Sequence, residues 1–157
     1  MSLTVRVKAP AGLTNHKQVM DSALEAGTSR ATGIVQNAIK SIVPTITHNL
    51  QSSIIPVLEP AAGKFIGRVI QDSGVAKYGR WVNDGTGIYG PEGRPITPNT
   101  AKMLVWKGQD GKKHFAKSVR GMKPRKYMQN GLAKSVDDVR TAYGDEINRA
   151  MKALGGG

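Results

Sequence analysis

Apolar or small side chains recur at Met20, Ala23, Leu24, Gly27, Ala31, Ile34, Val35, Ala38, Ile39 and Ile42. The spacing of three and four residues holds for roughly seven turns, which predicts a long helix over about 15–43. Asn15 is placed to cap it, with Gln18 three residues on as a capping-box partner. The stripe is rich in Ala and Gly. That composition lowers helix propensity but lets another backbone approach closely. Pro44 must kink or restart the helix. Val43, Ile46, Leu50 and Ile54 continue the spacing, so a shorter helix is expected over about 44–54. A second long stripe lies at the other end, where Met128, Leu132, Val136, Val139, Tyr143, Ile147, Met151 and Leu154 follow Pro124 and predict a helix over 124–154. Gly144-Asp145 leaves open whether that helix is one piece or two.

Between the helices the pattern changes. Pro56, Pro60 and Gly63 read as a break, and Lys64 to Gln71 as a strand with Phe65, Val69 and Ile70 available for burial. Val75 to Val82 is a short amphipathic stretch, and Asn83 to Asn99 a long Gly/Pro loop. Met103 to Lys107 and Lys113 to Val119 are strand-like, joined through Gly108-Gln109-Asp110-Gly111, a hairpin signal. Alternation of Leu3, Val5 and Val7 with Thr4, Arg6 and Lys8 predicts a strand or arm rather than a targeting segment. The expected fold class is α+β: a small antiparallel sheet with a hairpin arm, flanked by a long N-terminal and a long C-terminal helix. The chain reads as a single domain over 1–157, made of an arm (1–14), a helical segment (15–54), a sheet with loop and hairpin (64–119) and a final helix (124–154).

Composition narrows the function. Of 157 residues 39% are hydrophobic, below the roughly 45–50% usual for globular chains. A thin core of this kind predicts an extended or oligomeric protein. The chain has no Cys, which excludes disulfides, zinc-thiolate sites and thiol nucleophiles. Its longest uncharged run, Ser41 to Leu58, carries Pro44, His48, Asn49, Gln51 and Pro56 and is no membrane span. A soluble protein made in a reducing cytoplasm is expected.

Gly85-Thr86-Gly87-Ile88-Tyr89-Gly90 matches G-x-G-x-x-G. The dinucleotide fingerprint needs a helix opening at its third Gly, and Pro91, Gly93, Pro95 and Pro98 follow here instead. His16, His48 and His114 are scattered without metal-ligand spacing. No Gly-x-Ser-x-Gly elbow is present. The expectation is no catalytic residue, no cofactor and no metal.

The net charge is +12. Residues 76–134 hold 13 Lys and Arg against 3 carboxylates, Asp84, Glu92 and Asp110. The densest run has seven cations and no acid: Lys112, Lys113, Lys117, Arg120, Lys123, Arg125 and Lys126. Such an arm would meet phosphates or an acidic partner without reading base sequence. The other reading is a solvated surface that keeps the protein soluble. Tyr78, Trp81 and Val82 read either as core or as interface anchors.

Tyr78-Gly79-Arg80-Trp81-Val82-Asn83-Asp84-Gly85-Thr86-Gly87, then Gly93-Arg94-Pro95-Ile96, the hairpin, Ser118-Val119-Arg120-Gly121 and Pro124-Arg125-Lys126-Tyr127-Met128 form an ordered series. This series resembles the neck or tail-completion (minor tail component) proteins of long-tailed bacteriophages. The resemblance covers about residues 15–154 in order of elements, with its specific part at 78–128. Two positions depart from it. Asn83-Asp84 stands where the family has an acid followed by an aromatic, and Lys126 replaces a second Pro.

The resemblance implies a structural virion protein, assembled in the host cytoplasm as a ring of six copies and carrying no catalysis. Its implied partners are other copies of itself, head-connector or head-closure proteins, and tail-terminator proteins. Non-specific contact with double-stranded DNA in the channel follows, and no membrane contact. Candidate partner contacts are Gly27 and Ala31 on the first helix, and Tyr78, Trp81, Gly85, Thr86, Gly87, Arg94 and Pro95 in the motif. The alternative is a free basic nucleic-acid-binding protein using the Lys112–Lys126 arm.

Overall fold

A computed structural model describes residues 2–6, 17–44, 48–61, 64–108 and 110–155. Asn15, the expected cap, lies outside the described residues, as do residues 7–14 of the arm, Ile46, Gly63 and Gln109. The elements run β1 (Ser2–Arg6), α1 (Lys17–Ile42), α2 (His48–Ser52), β2 (Ile54–Ala61), β3 (Lys64–Gln71), α3 (Gly79–Asp84), β4 (Leu104–Lys107), β5 (Lys113–Ala116) and α4 (Tyr127–Gly155). The fold is α+β, with the long helices near the two ends. Its residues fall into two compact units, Met1–Lys77 with Tyr127–Gly157, and Tyr78–Lys126.

Unit 1 contains a three-stranded antiparallel sheet in the order β1-β3-β2. Ser2 pairs with Ile70 and Arg6 with Ile66, while Ile54 faces Gln71 and Ala61 faces Lys64. The expected helix over 44–54 is corrected to the five residues of α2, and the expected break at Pro56 and Pro60 to strand β2. Both prolines are tolerated because β2 is an edge strand, where a missing N–H can point away from the ladder.

Helix α1 runs between this sheet and α4, touching β2 and β3 on one side and α4 on the other. Met20, Leu24, Ala31, Val35 and Ile39 are buried along it. The buried set also includes Thr28 and Thr32, whose hydroxyls donate to the carbonyls four residues back at 2.7 and 2.6 Å. Those threonines lie against Gly67 of β3: a β-carbon there would stand 3.2 Å from Thr28 Cγ2. On the other side a β-carbon at Gly131 of α4 would stand 2.7 Å from the Ile39 Cα. Two backbones thus approach α1 where one partner has no side chain.

Helix α4 is continuous through Gly144-Asp145. Its buried residues are Tyr127, Met128, Gly131, Ser135, Ala142 and Ala150, which corrects the expected stripe. Val136 and Met151 are 36% and 50% exposed. The face turned to α1 is the one with small residues, because close helix contact favours small volume over hydrophobicity. Glu146 ties the pair at its edge, accepting from Arg30 of α1 at 3.1 Å and from Arg149 at 2.9 Å. Tyr143 Oη lies 3.1 Å from the Leu24 carbonyl, to which it donates, and 3.0 Å from Thr28 Oγ1. Burial pushes this phenol above the usual tyrosine value, and the hydrogen bond with Thr28 opposes that shift.

Candidate functional site

Unit 2 gathers the motif segments that are separate in sequence. Helix α3 carries Trp81 and ends at Gly85, followed by a 3-10 turn over Gly87–Tyr89. Backbone hydrogen bonds then tie this region to residues 119–126. Thr86 N–H donates to the Met122 carbonyl and Ile88 N–H to the Arg120 carbonyl, both at 2.9 Å. Met122 N–H returns to Thr86 Oγ1 at 2.9 Å. Arg125 and Lys126 donate to the carbonyls of Val82 and Asn83 at 3.0 Å each. Ile96 and Val119 exchange bonds at 2.9 and 3.0 Å. The result is a clasp of main chain against main chain.

Glycine is required where the strands of this clasp cross. Gly87 has φ 64° and Gly121 φ 91°, a region that side chains rarely adopt. A β-carbon on Gly87 would stand 2.8 Å from the Arg120 carbonyl carbon, and one on Gly121 2.8 Å from the Gly87 Cα. Gly85 and Thr86 belong to the same crossing. The Gly-Thr-Gly segment is therefore a backbone crossing point, and Gly121 is its missed counterpart. Sequence spacing could not pair residues 35 positions apart.

Lys126 has φ 49°. Proline is locked near −65°, so this position adopts a backbone that Pro cannot.

Two surfaces flank the clasp. One is an open cleft of about 890 Å³ whose lining includes Trp81, Pro91, Pro95 and Ile96, with Arg80–Asp84 at 3.6 Å and Arg94–Glu92 at 3.0 Å on its walls. Gly85, Thr86 and Gly87 also line it. Trp81 is 57% exposed and Tyr78 also exposed, so the core reading of these two residues is corrected. Val82 is half-buried.

The other surface is the hairpin. Val105 stands opposite Phe115, and Trp106 opposite His114. The Trp106 and His114 rings stack with centroids 5.6 Å apart. Asp110 Oδ1 closes the turn, 3.1 Å from His114 Nε2 and accepting from Lys112 N–H at 3.0 Å. Val105 and Phe115 are 57% and 59% exposed. These exposed apolar residues were missed as partner candidates. The signal was available, because alternation across a hairpin puts Val105 and Phe115 on one face.

All seven cations of the basic run, Lys112, Lys113, Lys117, Arg120, Lys123, Arg125 and Lys126, are exposed. Lys123 Nζ stands 5.8 Å from the Tyr89 ring centroid, a cation–π contact. Unit 2 as a whole has 11 Lys and Arg against 3 carboxylates.

Gly27 and Ala31 lie elsewhere, in unit 1, and both are buried. A β-carbon on Gly27 would stand 3.2 Å from the Tyr143 ring. Gly27 makes room for Tyr143 of the chain's own α4 and Ala31 is fully buried within unit 1, so neither is presented to a neighbouring copy, which corrects that reading. Among the described residues no helix is long and apolar enough to cross a membrane, and no three His, Asp or Glu gather as a metal-ligand group. Compared with known proteins, the chain matches no family model, no curated protein and no solved structure.

Proposed function

We propose that this chain is a structural virion protein, a ring subunit of the neck or tail end of a long-tailed bacteriophage. The ring, of six copies in the simplest case, would join the tail to the head connector around the DNA channel. Its neighbours are head-closure and tail-terminator proteins, and the reading includes no catalytic step.

One observation carries the reading. No hydrophobic side chain of unit 2 is fully buried, yet Trp81, Val105, Trp106 and Phe115 are 43–59% exposed. Exposed apolar side chains gathered on one small unit mark an interaction surface. The ordered motif series of the resemblance, as far as Lys126, lies in that same unit. The cationic surface suits a position beside DNA, because phosphate contact needs charge and no base reading.

Negative-stain images and light scattering of the purified protein test the proposal, and the expected result is a ring with a central opening. Any duplex binding by the monomer should be no tighter than the non-specific range of about 10⁻⁴–10⁻⁶ M at physiological salt. A monomer at every concentration that binds one duplex sequence at sub-nanomolar affinity would overturn it in favour of a free nucleic-acid-binding protein.

A further inference from the structure

The two faces of the β4–β5 ribbon are satisfied in different ways. Side chains alternate along a strand, so Leu104, Trp106, His114 and Ala116 share one face, and Val105, Lys107, Lys113 and Phe115 the other. On the first face Trp106 stacks on His114, whose Nε2 stands 3.1 Å from Asp110 Oδ1. On the second face Val105 and Phe115 are more than half exposed. Lys107 stands directly opposite Lys113, and like charges in that position repel.

The hairpin itself relieves neither feature. Asp110 is the one carboxylate of residues 104–117, and it lies in the turn against His114 and the Lys112 N–H. Lys112 and Lys117 extend the cationic stretch and are exposed. A two-stranded ribbon is also marginal in water without something packed on it. This face therefore calls for an occupant that brings negative charge and a flat apolar surface together.

We infer that the face binds single-stranded nucleic acid. A base stacks on Phe115 beside Val105, and the adjoining phosphates meet Lys107 and Lys113. Stacking on an exposed aromatic ring within a cationic surface is how sequence-independent strand binding works. A duplex would satisfy the lysines but leave Val105 and Phe115 uncovered, since its bases are already stacked. An acidic peptide would supply charge, but its apolar anchor needs a pocket to fill, and two side chains projecting from a ribbon make none. A second copy of this face would set lysines against lysines. The inference does not depend on the ring reading, and its test does not read assembly.

Fluorescence anisotropy of labelled oligo-dT, compared with a mixed-sequence duplex of the same length, tests it on the full chain. The strand should bind about fivefold or more tightly than the duplex, the worth of one stacked base. Phe115→Leu keeps an apolar side chain and loses the ring. It should weaken strand binding about fivefold or more and leave duplex binding unchanged. Phe115→Trp should bind the strand at least as well as the wild type. Both changes fall at an exposed site and should preserve the circular dichroism spectrum. Lys107→Ser combined with Lys113→Ser should flatten the slope of log K against log salt by about 1.4, at about 0.7 per phosphate contact. Equal affinity for strand and duplex, or none for either, overturns the inference, and so does an unchanged salt slope in the double variant. Full strand binding by Phe115→Leu overturns it as well, because apolar burial without stacking marks a protein partner.

Discussion

Unit 1 and unit 2 hold together by different means. The fully buried hydrophobic side chains of the described chain, from Met20 to Ala150, all belong to unit 1. Among the described residues of unit 2 the buried ones are Gly79, Asn83 and Gly85. Unit 1 is a layered core in which Gly67 and Gly131 let a strand and a helix close on α1. Unit 2 is a main-chain clasp with its large apolar side chains turned outward. A region ordered by backbone bonds over little buried apolar area has weak internal stability. Its outward side chains gain burial only from a partner. The contrast separates a scaffold from a contact surface.

The comparison breaks most readily at Gly131. Gly131→Leu forces a side chain against the α1 backbone at Ile39 and should cost about 3 kcal/mol or more. Thermal unfolding followed by helical circular dichroism reads the loss. A near-normal melting temperature would mean that α4 does not rely on the close approach.

Gly87→Val strains the clasp at φ 64°, by about 1–3 kcal/mol. Amide exchange should quicken at Thr86, Ile88 and Met122 while α1 stays protected. Equal loss of protection in α1 would show that the two units open together, and the contrast between them would dissolve.

Tyr143→Phe probes the scaffold more gently, removing a hydrogen bond to Leu24 at about 1 kcal/mol. The folded phenol titrates above its unfolded value of 10.0. Its contribution is therefore complete below pH 10 and lost as pH rises through the folded value. Urea unfolding across that window should show a steeper alkaline loss in the wild type than in Tyr143→Phe.

Lys126→Gly should have the smallest effect, and of opposite sign. Relief of the left-handed backbone is worth about 1–2 kcal/mol, offset by about 0.5–1 from glycine's chain entropy. A small gain in denaturation midpoint is expected, and a loss would mean that the lysine side chain holds the entry to α4.

What the sequence revealed follows the range of the physics involved. Helix α1 was legible over 15–43 because a 3.6-residue period is a local signal; it runs Lys17–Ile42. The hairpin was legible from its glycine-containing turn, and β3 from its apolar content. Strand β2 was not, because Pro56 and Pro60 break a strand everywhere except at an edge, and edge position belongs to topology. The α4 face was misread because Gly131, Ser135 and Ala142 look like gaps in an apolar stripe until a second helix fills them. Of the candidate site, Trp81, Thr86 and the lysines were visible as residues. Their assembly into clasp, cleft and hairpin was hidden, since it depends on backbone bonds between residues 82–96 and 119–126.

Residues 78–126 interrupt unit 1 between β3 and α4, and that placement governs the timing of folding. Thr28 and Tyr143 meet across 115 positions. During synthesis α1 and the three strands emerge first, then all of unit 2, and α4 last. At about 5–20 residues per second, Gly27 and Thr28 of α1 wait several seconds for the helix that carries Tyr143 to them. A clasp that closes early would shorten the segment still to be ordered. Loop entropy grows so slowly that halving a loop gains only about 0.6 kcal/mol. The insertion thus sets when unit 1 is finished far more than how stable it becomes, and it lengthens the interval in which a nascent chain shows bare apolar surface to chaperones or to other nascent copies.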